Sequence, residues 1–140
     1  MLRTSIFAAL GFVLCAGTAA AACSGADPAL QSVAVKSVVQ ANGTNRYTLV
    51  GTVTNVGSAA QASSVLQFVD IYQTPGQKLD AKGIPPLRAG ESYTFSYLML
   101  RSAEAGNGTT TLRFHLDLRQ PSSGSDADCN TANDSFSVTF

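Results

Sequence analysis

Between Thr109 and Arg119 the chain reads TTTLRFHLDLR and alternates without a break. Leu112, Phe114, Leu116 and Leu118 fall on one side; Arg113, His115, Asp117 and Arg119 fall on the other. Successive side chains of an extended chain point to opposite faces, so a period of two marks a strand with one dry face and one wet face. ESYTFSYLML repeats the pattern, with Tyr93, Phe95, Tyr97 and Met99 together, and SFSVTF ends the chain on Phe136, Val138 and Phe140. RYTLVGTVTN offers Tyr47, Leu49 and Val53, with Gly51 interrupting the row as a bulge or a close approach does. Strands wet on one face only belong in antiparallel sheets packed through a single core.

The turn chemistry agrees. Asn42-Gly43 sits between two such segments, and Asn-Gly is the strongest short hairpin signal. Asn107-Gly108, Thr74-Pro75-Gly76 and Pro85-Pro86 followed by Arg88-Ala89-Gly90 mark further turns or crossings. The segments predict about seven strands, over 32–40, 45–56, 64–73, 78–84, 91–101, 109–119 and 134–140. No stretch past the first 22 residues holds a helical period. The expected fold is an all-β, antiparallel sandwich.

The N-terminus reads as a secretory signal peptide. Arg3 supplies the positive start, Ser5–Gly17 is uncharged and apolar, and Ala19–Ala22 gives the small residues before a cleavage site. Cleavage after Ala22 leaves 140 − 22 = 118 residues, one domain over 23–140. The apolar stretch is shorter than the ~20 residues of a membrane span. Without Arg3, 8 Lys+Arg face 9 Asp+Glu, a mature charge of −1, and no basic stripe suited to nucleic acid or an anionic membrane stands out. Cys15 leaves with the signal, so Cys23 and Cys129 remain as an even pair in an exported chain, where disulfides persist. The competing reading acylates Cys23 as in a lipoprotein, although Ala20 stands where those signals usually carry Leu.

TVTNVGSAAQASSVLQFVDIY, from Thr52 to Tyr72, resembles the signature of the CARDB family, the cell-adhesion-related domain found in bacteria. IPPLRAGESYTFSY is similar to that family's Pro-x-Leu-x-x-Gly-Glu-Ser element, and DADCNTANDSFSVTF to its Asn-rich element before the last strand. The resemblance spans Val33 to Phe140 and implies an immunoglobulin-like sandwich with an adhesion or interaction role. Two departures are Cys129 within the Asn-rich element and the long return RQPSSGSDADC. Each element also has a local reading. Asn55 and Gly57 suit backbone of positive φ, Ala59, Ala60 and Ala62 permit a crossing close to the sandwich edge, and Gly90 turns Glu91 into register. Asn130, Asn133 and Asp134 can bond their own backbone.

Little here resembles catalytic chemistry. His115 is the only histidine, and Asp117 shares its face, but nothing resembles a strained nucleophile turn. One histidine and two cysteines expected to pair cannot build a zinc or copper site. The best metal candidate is SDADCNTAND, where Asp126, Asp128 and Asn130 have the one-three-five spacing of a calcium loop and Asp134 is near. An EF-hand would require Gly at 131 and Glu at 137, where the chain has Thr131 and Ser137, and a solvated acidic loop is the simpler expectation. Asn42, Asn107 and Asn133 fit glycosylation acceptors, although in a bacterium they are plain turn formers. The terminal Phe140 also fits the last strand of an outer-membrane barrel, but the aromatic girdles and uniform strands are missing. The expected function is therefore an exported, periplasmic or extracellular, non-enzymatic module for adhesion, protein interaction or scaffolding, with no cofactor and a protein or cell-surface partner. The alternative is a small periplasmic ligand- or calcium-binding protein.

Overall fold

The Asn-Gly hairpin is the simplest link from sequence to fold. Asn42 and Gly43 take φ of 50° and 72°, both left-handed, so the turn needs only two residues, and Ala41 pairs directly with Thr44. The computed structural model describes residues 23–104, 108–121 and 127–140; the expected signal peptide, Asn107 and Asp126 lie outside them. Seven strands follow in order: β1 Pro28–Ala41, β2 Thr44–Asn55, β3 Leu66–Gln73, β4 Gln77–Ile84, β5 Ser92–Ser102, β6 Thr111–Gln120 and β7 Ser135–Thr139. A short 3-10 turn, Thr131–Asn133, precedes β7. The strands form a three-stranded sheet, β1-β2-β5, and a four-stranded sheet, β4-β3-β6-β7, with every pair antiparallel. The expected β-sandwich is the fold.

Alternation decides which residues fill the space between the sheets. Leu49 and Val53 of β2, Val69 and Ile71 of β3, and Leu112, Phe114 and Leu116 of β6 are all buried in one cluster. Phe114 is the largest fully buried side chain, and its ring lies 6.1 Å from that of Phe95 on the opposite sheet. Gly51 pairs with Phe95 across β2 and β5, and a Cβ there would run into the Phe95 ring. Its place in the row is thus a close approach rather than a bulge. Gly90, at φ 76°, makes the expected turn into β5.

The dry row of β5 is narrower than its alternation suggests. Phe95 and Met99 are buried, Tyr97 is half-buried and Tyr93 is exposed. Both tyrosines have a hydroxyl that favours water at the margin of a core, so an apolar ring on the dry side need not be enclosed. Leu118 at the end of β6 is likewise only half-buried.

Candidate functional site

One end of the sandwich is tied together by the Asn55-Val56-Gly57 stretch. The Asn55 side chain is fully buried and uses all its bonding capacity on backbone. Its Oδ1 accepts from the N–H of Asp27 at 2.9 Å and of Gly57 at 3.1 Å, while Nδ2 donates to the carbonyls of Ala59 at 2.9 Å and Leu87 at 3.1 Å. Its own backbone pairs with Gly90 and Glu91, so the two elements quoted above for the family resemblance lock onto each other. Neither Asn55 nor Gly57 has positive φ, contrary to the expectation. Asn55 is required for its amide, and Gly57 because a Cβ would strike Gly25 O and Asp27 N. The small-residue link also differs: Ala60 and Ala62 are exposed, and the tight packing falls to Gly57.

The same end holds the disulfide. Cys23 and Cys129 are joined with Cα atoms 5.9 Å apart, and Cys129 N–H donates to Ala26 O at 2.9 Å. Among the described residues, Cys23, Asp27 and Cys129 are the one set of three or more His, Cys, Asp or Glu whose ligand atoms lie within 4.8 Å of one another, but bridged sulfurs are not thiolates and make no metal site. For the same reason Cys23 Sγ, 3.7 Å from Asp27 Oδ2, has no proton to donate.

Around this anchor the chain collects acids. Asp27 and Asp134 are buried, Asp128 is half-buried, and the Asp128 and Asp134 carboxyls lie within hydrogen-bonding reach of each other. Burial, and then the Asp128 charge and its hydrogen bond, push the Asp134 carboxyl up to about 8; burial raises Asp128 as well. Of the four residues expected to make a calcium loop, the structure brings Asp128 and Asp134 together. Asn130 Oδ1 instead accepts from Ala132 N–H and caps the 3-10 turn, and Asp126 lies outside the described residues. Asn133 reaches away from its own backbone to donate from Nδ2 to Asp27 Oδ1 at 2.8 Å. Asp27 and Asn133 were absent from the sequence-based set, and the signal that points to them is the cysteine pair, which carries residue 27 to residue 128.

The remaining polar clusters have ordinary partners. Asp70, buried on the outer side of the four-stranded sheet, is held by Lys78 Nζ and by Arg119 Nη2, each at 2.7 Å. His115 Nδ1 meets Ser135 Oγ at 2.9 Å, whereas Asp117 pairs with Arg119 at 3.2 Å, so no Ser–His–Asp relay is assembled there.

The strand edges differ in how they are guarded. β1 is broken by two register shifts and carries Lys36, β4 carries Lys78, Asp80 and Lys82, and β7 has five residues. β5 is an edge strand of eleven residues, paired with β2 without a register shift, and its single charge is Arg101. On the outer face of its sheet, Leu98 and Leu100 are exposed and share the surface with Val39 across Arg46. An open depression of about 370 Å³ lies beside them, lined by Val39, Ala41, Asn42, Thr44, Arg46 and Leu100.

No protein-family model matches the chain, and no curated protein matches it. Among solved structures it is similar to Bacteroides uniformis beta-glucuronidase 2 covalently bound to cyclophellitol-6-carboxylate aziridine. The TM-score is 0.44 at 20% identity, over 68% of this chain and 12% of that one. This chain spans a small fraction of that enzyme's length, and the likeness carries no inference about activity. The disulfide is compatible with an exported protein. Among the described residues no helix is long and apolar enough to cross a membrane.

Proposed function

We propose that this protein is an exported, non-enzymatic interaction module of the CARDB type that recruits a protein partner through the edge of β5. The observation that carries the reading is the contrast among edges: β5 alone is long, unbroken in register and flanked by exposed leucines. An edge strand offers a row of unpaired backbone donors and acceptors, and natural sheets usually blunt such rows with charges, bulges or short strands. Where one edge is left open, an added strand supplies the hydrogen bonds and side-chain pockets supply the specificity. Leu98, Leu100 and Val39 form such an apolar surface beside the edge.

The test is capture from a native envelope extract with the wild-type domain and with a Leu98→Lys/Leu100→Lys variant. A Leu66→Lys variant, exposed on the other sheet, controls for charge. The reading expects a partner, cross-linked to β5, that the double variant loses and the control retains. Equal recovery by all three proteins would refute it.

A further inference from the structure

We propose that Asp128, Asp134 and the Asn133 amide oxygen form a binding site for a hard divalent cation of the calcium class. The site lies beside the Cys23–Cys129 bridge, away from the β5 edge. Asp134 is 4% exposed, and its Oδ1 has no hydrogen-bond partner. Asn133 Oδ1, one residue earlier, is a second buried oxygen with none. Buried polar atoms are almost always satisfied, so two orphaned oxygens in one turn call for a missing donor or cation.

The surrounding charge identifies which. The charges acting on Asp134 are those of Asp128 and Asp27, both negative. Asp70 is buried to the same degree in the same fold, but there Lys78 and Arg119 clasp the carboxylate. Two carboxyls in contact without a cationic partner have two stable arrangements: they share a proton, or they share a cation. The donor atoms are carboxylate and amide oxygens, and the only nearby sulfurs are locked in the disulfide, which suits calcium rather than a softer metal.

The ligands are also held in place. Asn130 N–H binds Asp128 Oδ1 at 3.0 Å. Asp27 takes the Asn133 Nδ2 at 2.8 Å, which leaves the amide oxygen over. Asp27 is in turn fixed through its backbone by Asn55. These contacts orient the oxygens before any ion arrives, as partners behind metal ligands do.

The experiment uses the mature chain, 23–140, in a thermal melt with chelator, with CaCl2, with MgCl2, and with NaCl at matched ionic strength. For an affinity of about 0.1 mM, within the range of extracellular calcium modules, ~5 mM CaCl2 raises the melting temperature by roughly 5–10 °C. Calorimetric titration of CaCl2 into the wild type shows a saturable heat. Asp128→Asn melts in chelator at or above the wild type, because a like charge is removed, and loses the calcium shift. Asp134→Asn gives the same readout if the first variant fails to fold. No calcium shift and no heat in the wild type, an equal shift with NaCl, a response to magnesium alone, or a full shift in the Asn variants would each overturn the assignment.

Discussion

Replacing Asn55 by Ala tests how this sandwich closes at its anchored end. Four hydrogen bonds are lost, but they are not equal. Gly57 N–H and Ala59 C=O are half-exposed, so water can replace the amide there. Leu87 C=O is buried but keeps a second donor, the Gln61 N–H at 3.0 Å. Asp27 N–H is different: it is buried and bonds to Asn55 Oδ1. An orphaned buried donor costs about 1–3 kcal/mol, and each ordinary net hydrogen bond lost adds about 1 kcal/mol. We therefore expect Asn55→Ala to destabilise by about 3 kcal/mol, a large share of the ~5–15 kcal/mol that holds a typical domain folded. In urea, with a slope of about 2 kcal/mol/M, the midpoint falls by roughly 1.5 M at unchanged slope. Asn55→Asp sharpens the test. It keeps both acceptor bonds but turns an anionic oxygen toward the Ala59 and Leu87 carbonyls, so at pH 7 it costs at least as much as Ala. A loss under about 1 kcal/mol for Ala, or an Asp variant more stable than Ala at pH 7, would show that the amide does not hold this end.

Two further outcomes follow from the core and the acidic end. Phe114→Ala removes a fully buried ring that meets Phe95 and should cost about 3–5 kcal/mol in chemical denaturation, whereas His115→Ala on the wet face should be near neutral. The opposite ranking would mean the β6 register is inverted. In chelator, Asp134 has a folded pKa raised from 3.8 to about 8, so the folded state binds its proton more tightly and the stability it gains is fully present below pH 4 and lost as pH rises toward 8. Asp128 is raised in the same direction and Asp27 stays beside them, so melting temperatures in chelator should fall between pH 5 and pH 8, with a flatter profile for Asp134→Asn. A wild-type profile that is flat or rising across that window contradicts the burial of this pair.

The strands were legible because alternation is local. Leu112, Phe114 and Leu116 can all face the core only if β6 is extended, and a slip of one residue would expose all three. Asn42-Gly43 is equally local, since two left-handed residues decide the turn. What lay beyond the pattern was long-range. Asn55 reads as a turn former, yet its partners are at 27, 57, 59 and 87. Asp27 and Asn133 meet across a separation of 106 residues, which no spacing rule spans. The cysteine pair was the one sequence feature that crossed that distance. Tyr93 shows the complementary limit: period two says which face a residue takes, but not whether the opposite sheet extends far enough to cover it.

Two of the buried carboxylates, Asp70 and Asp134, are treated in opposite ways, and the difference follows from where each sits. Asp70 is in the middle of β3, flanked by strands on both sides, so cationic side chains from β4 and β6 reach it. An internal partner is at hand there, because the register shifts in the two ladders bring Lys78 of β4 and Arg119 of β6 to its carboxylate. Asp134 caps the 3-10 turn that leads into β7, where irregular backbone meets the start of β1 and no paired strand delivers a cation. Closing this end with like charges opposes folding, and the disulfide counters it. A closure of 106 residues removes about 4–5 kcal/mol of unfolded-chain entropy in the usual estimate. That covalent margin lets a cluster of acids persist without a counter-charge among the described residues, and a cluster kept in that state is poised to take its positive charge from outside the chain.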